Sequence, residues 1–497
     1  MKRICMFVRN PVVKDARVLK EAETLVNQGY EVSVVGVQSG EFSTEYEKLP
    51  SGVDVYRVDS KVYAYGLEFF VKVCFFVLLA FVVLFNAPLA TLSGYFERLL
   101  DYTISDFGYV MACAFYFFLI FWGLKSTLKA AKRYLRYRQR YLKLDEDKNN
   151  SSGLLVRFIT ATRYLFKIVS YIRLFKLSAV ALFLRKNGAI YGHYAGSKPL
   201  LPALKPDVIH AHDISTLPLG VAFSKKYGIP LIYDAHELYE DAVGVMPVTK
   251  LLYKCIHWFS QKHVDGFITI SESFSEIYKK RYPLLPNALV VMNATRYVGE
   301  TQYDGRLHKA TGLSSETKII LFQGGFTDHR GINNLLLASK YLKNNWCLVF
   351  MGWGKLQDKI EEQARKTPNK VKCIDAAPQS ELACWTSGAT VGVIPYEDHG
   401  LNHKYCTPNK LWEYPNAAVP IMASPRVELS RIVTSNGIGE IFEEPVIPSE
   451  FAIHLMLSDE KIQLYKNNCR VFAKEQSWGK YEKGLVSLYD DILRNKA

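Results

Sequence analysis

The stretch PDVIHAHDISTLPLGVAFSKKYGIPLIYDAHE, residues 206–237, decides the fold. It holds two short strand-like runs, PDVIHAHD and PLIYDAHE, separated by the helical segment TLPLGVAFSKKYG. A strand, a helix and a second strand joined this closely are typical of a parallel α/β unit. Both runs end in polar residues, and ligands of such sheets bind beyond the carboxyl ends of the strands. The stretch therefore predicts an α/β sheet with a binding site at that edge.

The same alternation of strands and helices occurs in two long series along the chain. Two series predict two doubly wound, Rossmann-like domains that face one another across a cleft, where the ligand is expected. A hydrophobic segment interrupts the first series, and a last helical pattern follows the second. The predicted parts are the N-terminal domain in two pieces, 1–60 and 191–297, the insert 61–190, the C-terminal domain 298–475 and a C-terminal helix, 476–497.

Two stretches of the insert, 73–92 and 107–124, contain no charged residue. Each is long enough to cross a hydrocarbon core of roughly 30 Å. Residues 125–144, directly after the second stretch, carry eight basic residues and no acidic one, which predicts a cytoplasmic flank. We therefore expect a hairpin in the cytoplasmic (inner) membrane with both α/β domains on the cytoplasmic side. The alternatives are a re-entrant hairpin, or two buried helices of an enlarged soluble domain.

The charge of the chain is concentrated in the insert. The net charge is +14, and residues 61–190 alone hold 19 Lys and Arg against 7 Asp and Glu. The remainder is nearly balanced, which argues against nucleic acid as a partner and favours a local basic patch. The nine cysteines are scattered, so we expect reduced thiols and no disulfide framework. Because no ligand cluster at metal spacing occurs, we predict neither a metal nor another cofactor.

The segment TPNKLWEYPNAAVPIMAS, residues 407–424, predicts an anion site. Thr407 is suited to cap a helix and Pro408 to its first position, which leaves backbone N–H groups free for an anion. Lys410 adds a positive charge, and Glu413 follows where it can accept hydrogen bonds from a group attached to the anion. A nucleoside diphosphate, with its phosphates and ribose hydroxyls, has this shape. An ordinary capped helix with a surface ion pair is the alternative.

Two glycines and an arginine extend this site. Gly324 and Gly325 end a predicted strand, where the missing Cβ lets a ligand approach the backbone. Arg330 follows within reach of a phosphate. We therefore predict that Arg330 and Lys410 hold a diphosphate between them.

Polar residues also close the strands of the first domain, and a constellation of this kind favours a site. Each could instead serve the fold, as a helix cap, a strand-end hydrogen-bonding group or an ion pair at a helix start. The candidates on this acceptor side are Asp15, Arg17, His212, Asp213, Asp234, His236 and Glu237.

Eight segments, spread over both α/β domains and in a fixed order, resemble retaining glycosyltransferases of family 4. They are KDARVLKEAETLVNQGYEV (14–32), DVIHAHD (207–213), YDAHELYED (233–241), DGFITISES (265–273), ILFQGGFTDHRGI (320–332), VFMGWG (349–354), VGVIPY (391–396) and PNKLWEYPNAAVPIMAS (408–424). The resemblance implies the two-domain GT-B fold. The insert lies outside it.

The resemblance also implies roles for individual residues. Arg330 and Lys410 would stabilise the charge that grows on the leaving nucleotide, and His212 would lie near the reacting sugar. Glu413 matches the second Glu of the family's Glu-x7-Glu motif, which binds ribose. The first Glu of that motif is replaced by Tyr405, so the donor sugar stays open. The predicted catalytic residues are His212, Arg330, Lys410 and Glu413, and the predicted donor-binding residues are Gly324, Gly325, Arg330, Gly352, Tyr405, Pro408, Asn409, Lys410 and Glu413.

The expected function is transfer of a sugar, with retention, from a UDP- or GDP-sugar to a membrane-held acceptor. A polyprenyl-diphosphate-linked saccharide of bacterial cell-surface polysaccharide or glycan assembly would explain the hydrophobic, basic insert. Two alternatives stay open. One is a membrane-anchored scaffold subunit that binds nucleotide sugar without turnover, which the tyrosine at position 405 motivates. The other is a sugar-nucleotide epimerase of the same fold.

Overall fold

The computed structural model describes residues 1–13, 15–40, 42–60, 190, 192–297 and 299–495. The stretches 73–92 and 107–124 lie outside these residues, so the membrane hairpin stays a prediction. Among the helices that the structure describes, none combines the length and the apolar character needed to cross a membrane. The described residues belong to one compact unit with two lobes. We call residues 1–60 and 192–297 the N-terminal lobe and residues 299–475 the C-terminal lobe.

The N-terminal lobe is built on an eight-stranded sheet with the order β3-β4-β2-β1-β5-β6-β7-β8. Its strands are parallel except for the edge pair β3–β4, which is antiparallel. The strands are β1 Arg3–Phe7, β2 Glu31–Val37, β3 Tyr46–Lys48, β4 Asp54–Val58, β5 Val208–His212, β6 Leu231–Ala235, β7 Gly266–Thr269 and β8 Ala288–Val290. The helices are α1 Ala16–Asn27, α2 Leu201–Leu204, α3 Leu217–Tyr227, α4 Pro247–Ser260 and α5 Glu272–Arg281.

The C-terminal lobe is built on a six-stranded parallel sheet with the order β11-β10-β9-β12-β13-β14. Its strands are β9 Lys318–Gly325, β10 Trp346–Trp353, β11 Val371–Ile374, β12 Val391–Ile394, β13 Ile421–Ala423 and β14 Gly439–Ile441. The helices are α6 Arg306–Thr311, α7 Ile332–Ala338, α8 Gln357–Lys366, α9 Leu382–Thr386, α10 Leu401–Lys404, α11 Lys410–Asn416, α12 Val427–Ser435, α13 Pro448–Leu455 and α14 Asp459–Glu475.

The central strands are buried along their whole length, which explains their composition. Every residue of β5, β6, β7 and β12 is buried. Parallel strands covered on both faces are expected to be almost continuously apolar, and polar residues then mark special positions. In β5 and β6 those residues are His210, His212 and Asp234. The two parallel sheets confirm the predicted α/β architecture.

The last helix, α15 Trp478–Arg494, packs on the N-terminal lobe although it follows the C-terminal lobe in the chain. The Trp478 indole is fully buried and donates to Thr24 Oγ1 at 2.9 Å. Leu485 and Tyr489 belong to the same apolar cluster as residues of β1 and β2. The sequence predicted the helix but not its return to the first lobe.

The serine that caps α5 offers a test of local stability. Ser271 is buried, and its hydroxyl accepts a hydrogen bond from Phe274 N at 3.2 Å. We expect Ser271→Ala to reduce the free energy of unfolding by about 1 kcal/mol, because a backbone donor loses its acceptor. Thermal denaturation would measure this. Ser477→Ala is the matched control, since Ser477 precedes α15 without capping it, and its cost should stay below roughly 0.5 kcal/mol. Equal shifts would contradict the capping role.

Candidate functional site

Arg330 and Lys410 lie against the same aromatic ring in the C-terminal lobe. Arg330 Cζ is 4.1 Å from the centroid of the Tyr396 ring, and Lys410 Nζ is 5.4 Å from it. Lys410 also donates to the Tyr396 hydroxyl at 3.3 Å, and only 8% of this lysine is exposed. No carboxylate in the described ranges forms an ion pair with either cation. Lys410 is thus buried without a direct ion pair, although its charge interacts with that of Glu413, and this arrangement favours an anionic ligand.

Glycines at the carboxyl ends of β9 and β10 leave room beside Lys410. Gly324 has φ +111°, and a Cβ there would lie 3.1 Å from Lys410 Nζ. A Cβ at Gly325 would contact only Thr327, at 3.9 Å, so this position is open. Gly352 has another reason to lack a side chain, because a Cβ would lie 2.0 Å from the Gly324 carbonyl oxygen. Gly352 thus allows the two strand ends to approach, whereas Gly325 leaves the backbone accessible.

Glu413 lies in the first turn of α11. Gln323 Nε2 donates to its Oε2 at 2.7 Å. Burial raises the pKa of Glu413, and the positive charges of Lys410 and of Lys20, from the N-terminal lobe, act against that rise. Glu413 as a residue is half-buried, and its charge interacts with that of Lys410.

The predicted helix cap at Thr407 is wrong. Helix α11 begins at Lys410, and among the described residues Thr407 Oγ1 is buried without a hydrogen-bond partner. Asn409 takes the cap position, but its backbone is helical (φ −51°, ψ −34°) and its side chain caps nothing. Leu411 N donates instead to Pro408 O at 2.9 Å, which tightens the first turn. The anion site therefore depends on side-chain cations and not on a capped helix terminus.

The segment that contains Tyr405 forms hydrogen bonds between the two lobes. Asn402, in α10, accepts from Leu238 N at 2.8 Å and donates to Leu238 O at 3.1 Å. Asn293 Nδ2, from the N-terminal lobe, donates to Asn409 Oδ1 at 2.6 Å. Tyr405 follows α10 directly and its backbone N donates to Leu401 O. The segment around Tyr405, the residue at the position of the first motif Glu, thus lies where the lobes meet.

Arg17 does not face the opening as predicted, whereas for half-buried Asp15 this stays a prediction. Arg17 is 4% exposed and binds Asp234 through two hydrogen bonds, Nε to Oδ2 at 2.9 Å and Nη2 to Oδ1 at 3.0 Å. Its Nε also lies 3.1 Å from Glu21 Oε1, and its Nη1 donates to Val291 O. Asp15 caps α1 by accepting from Val18 N. Both residues hold the lobe together, which was the alternative interpretation of these positions.

His236 and Asp213 present the more exposed polar groups at the ends of β5 and β6. His236 Nε2 lies 2.9 Å from Asp234 Oδ2, and its Nδ1 lies 3.3 Å from Asp213 Oδ1. The side chain of His236 is 19% exposed and that of Asp213 32%. Burial alone would lower the pKa of His236, but the two carboxylates outweigh it and raise that pKa to about 9. His236 is therefore a cation at neutral pH.

His212 lies behind these groups. It is fully buried, its ring centroid is 4.0 Å from that of His210, and its Nδ1 is 3.5 Å from Asp234 Oδ2. Successive residues of a strand alternate between faces, so His210 and His212 share one face, which α15 covers through a His210–Tyr489 hydrogen bond. His212 does not reach the cleft surface in this conformation. Glu237 is exposed. Partial burial of its carboxyl group and the charge of Asp213 raise its pKa, and the positive charges of His236 and, less strongly, of Arg330 from the other lobe oppose that rise.

Four buried residues behind the site could hold a metal ion. Glu21, His210, His212 and Asp234 each bring one candidate ligand atom within 4.8 Å of the others. Two imidazoles and two carboxylates form a donor set that suits zinc. Asp234, however, already binds Arg17 with both oxygens, and burial raises the pKa of Glu21 to about 7. An ion would have to displace the guanidinium, so the absence of a metal stays a prediction for experiment.

The raised pKa of His236 predicts a pH-dependent stability. The folded chain holds this proton up to a pKa of about 9, whereas the unfolded chain releases it near 6.5. The stabilisation is therefore complete below pH 6.5 and is lost as the pH rises to 9. We expect wild type to lose roughly 2–3 kcal/mol over this range. His236→Asn should show a flatter curve in urea titrations. The difference between the two curves isolates the histidine, and parallel curves would contradict the assignment.

Comparisons with known proteins agree with this architecture. The Glycosyltransferase Family 4 model matches residues 166–293. No curated protein sequence matches the chain. The sucrose-phosphate synthase of Thermosynechococcus elongatus superposes with a TM-score of 0.63 at 13% identity, covering 100% of both chains.

Two further solved structures are similar over the full length. The Anabaena protein Alr3699/HepE, in complex with UDP, gives a TM-score of 0.58 at 12% identity, covering 99% of this chain and 100% of that one. The trehalose 6-phosphate synthase of Burkholderia multivorans gives 0.57 at 11% identity, covering 100% of both chains. Such identities show the fold. Together with the two doubly wound sheets, these likenesses support the two-domain GT-B fold, and the match to the glycosyltransferase family model lies entirely before the C-terminal lobe.

Proposed function

We propose that this chain transfers a sugar from a nucleoside-diphosphate sugar to an acceptor held at a membrane. The observation that carries the proposal is the pair of cations, Arg330 and Lys410, on the Tyr396 ring beyond the carboxyl end of β9. Both lack an ion-pair partner in the part of the chain that the structure describes, and a diphosphate would supply their counter-charge. Glu413, in the first turn of α11 with Lys410, would bind the ribose.

The donor in this proposal is a UDP- or GDP-sugar. Support for uridine comes from the Anabaena neighbour, which was solved in complex with UDP and with UDP-glucose. Arg330 and Lys410 would stabilise the negative charge that develops on the leaving diphosphate as the glycosidic bond breaks. Such stabilisation is strong in a site where the cations are already held in place. Retention at the anomeric carbon is proposed from the resemblance to family 4.

The acceptor would enter from the N-terminal lobe. Asp213, His236 and Glu237 lie at the strand ends on this side, and Glu237 lies close enough to Arg330 for their charges to interact. We propose a lipid acceptor, a polyprenyl-diphosphate-linked saccharide at the cytoplasmic face of the inner membrane. The support is in the sequence, in the uncharged stretches 73–92 and 107–124 and the basic excess of the insert.

The proposal is tested by donor hydrolysis. Detergent-solubilised full-length protein is incubated with a panel of UDP- and GDP-sugars, and release of nucleoside diphosphate is measured. We expect slow release with one donor, lost in Arg330→Ala and reduced in Glu413→Ala. Tight binding without release for any donor would favour the scaffold interpretation, which Tyr405 motivates. Neither binding nor release would overturn the proposal.

Metal removal is expected to leave the reaction unchanged. The diphosphate would be neutralised by two side chains, so no divalent ion is needed to hold it. The measurement compares donor hydrolysis in excess EDTA with hydrolysis after EDTA is removed and Mg²⁺ or Zn²⁺ is added. Loss of activity in EDTA that Zn²⁺ restores would contradict this and would direct attention to Glu21, His210, His212 and Asp234.

A further inference from the structure

Helix α4, Pro247–Ser260 in the N-terminal lobe, has an outer face that is both apolar and basic. Leu251 is 62% exposed, Trp258 59% and Phe259 58%. Lys250 and Lys254 are exposed on the same helix. The opposite face, with Leu252, Tyr253, Ile256 and His257, is buried against the lobe. The exposed aromatic residues are therefore not needed for the core.

The exposed residues form one continuous surface. Leu251, Lys254 and Trp258 are spaced i, i+3 and i+7, which places them in one line along a helix, and Lys250 and Phe259 flank that line. We call these five residues the α4 face. Trp and Phe interleaved with Lys are typical of helices that lie in a lipid interface, with apolar rings among acyl chains and ammonium groups at the phosphates.

The charge around the α4 face is positive. Helix α4 contains no acidic residue. Lys225 and Lys226, at the end of the neighbouring α3, and Lys262, just after α4, are exposed and add to it. The nearest acidic residues are already paired. Glu240 binds His257 at 2.8 Å, and Asp241 binds Arg281 at 2.6 Å.

A depression beside the face adds room for a headgroup. It has a volume of about 650 Å³. Its lining includes Lys250, Lys254 and Trp258, and also Glu240 and Asp241, both of which pair with Arg281. The ammonium groups of Lys250 and Lys254, next to the Trp258 ring, offer a phosphate both charge and a flat apolar wall, whereas Arg281 serves to neutralise the two carboxylates.

We propose that the α4 face docks on an anionic lipid surface. A second copy of the chain is a poorer occupant, because a symmetric contact would bring the lysines of both copies together. The inference deepens the proposed function, on whose lipid-held acceptor it rests, since the docked lobe is the one proposed to admit the acceptor. It concerns residues that are not part of the donor site.

The test uses the full chain in vesicles of equal parts phosphatidylcholine and phosphatidylglycerol. A photo-crosslinking residue is placed on the face, Trp258→benzoylphenylalanine. The matched control is Ile453→benzoylphenylalanine on α13 of the C-terminal lobe, where Ile453 is 68% exposed. We expect lipid adducts at position 258 to exceed those at 453 by roughly ten-fold, and Lys250→Glu with Lys254→Glu to reduce the adducts at 258 by a similar factor.

Equal lipid yields at the two positions would overturn the inference. Adducts to protein at position 258, whether to a second copy or to another chain, would overturn it as well. Donor hydrolysis measured on each variant shows that the protein is folded and keeps the two proposals separate. Normal lipid capture without hydrolysis would count against the transfer reaction alone, and normal hydrolysis without capture would count against docking alone.

Discussion

Replacing Lys410 by alanine is expected to lower the rate of nucleoside-diphosphate release by roughly 100- to 1000-fold. Lys410 is almost completely buried, is fixed by the Tyr396 hydroxyl, and has Gly324 beside its ammonium group. A cation held in this way needs no rearrangement when negative charge develops on the leaving diphosphate. Its removal should therefore reduce the rate of the chemical step more than the affinity for the donor.

The measurement is steady-state donor hydrolysis with kcat and KM determined separately. Lys404→Ala is the matched control, because Lys404 is an exposed lysine of the neighbouring helix α10. It should retain activity close to wild type. A rise in KM with unchanged kcat would mean that Lys410 binds donor and transition state equally, and would contradict a role in stabilising the leaving group.

Asp234→Asn is expected to reduce the free energy of unfolding by about 3–5 kcal/mol. The carboxylate accepts two hydrogen bonds from Arg17 and one from His236, and it is fully buried. Its two positively charged neighbours hold its pKa well below the usual range, despite the opposing effect of burial. The amide would leave the Arg17 guanidinium without its main counterion inside the lobe.

Urea denaturation of the detergent-solubilised chain would measure this loss. Asp54→Asn removes a carboxylate from a surface pair, since Lys48 and Asp54 side chains are 61% and 27% exposed, and should cost less than about 1 kcal/mol. Similar losses for the two variants would mean that the buried network contributes no more than an exposed ion pair. That result would contradict the role assigned to Arg17.

Much of the fold could be predicted from local pattern. Strands β5 and β6 and helix α3 follow from spacing within 32 residues, because buried parallel strands and the helix between them each have a characteristic periodicity. The cation pair could also be predicted, since Arg330 and Lys410 both follow strands of one sheet. Tyr396, which joins them, was missed, although it lies just beyond the carboxyl end of β12, the strand next to β9.

The burial of His212 could not be predicted in the same way. Alternation along β5 places His210 and His212 on one face, but it does not show what covers that face. That depends on Tyr489, which bonds to His210 from a position 279 residues away. Arg17 presents the same difficulty, because its partner Asp234 is 217 residues distant. The predicted cap at Thr407 failed for a local reason, since the helix begins two residues later than a cap at that position requires.

The return of α15 to the N-terminal lobe has a consequence for biosynthesis. Strands β1 to β8 of that lobe are translated before the C-terminal lobe, yet Trp478, Leu485 and Tyr489 complete its apolar cluster. The core of the N-terminal lobe can therefore be completed only after the C-terminal lobe has been made. Until residues 478–494 are made, the surface that they cover stays accessible to water and to chaperones. This surface includes the Thr24 hydroxyl, which accepts the hydrogen bond from the Trp478 indole.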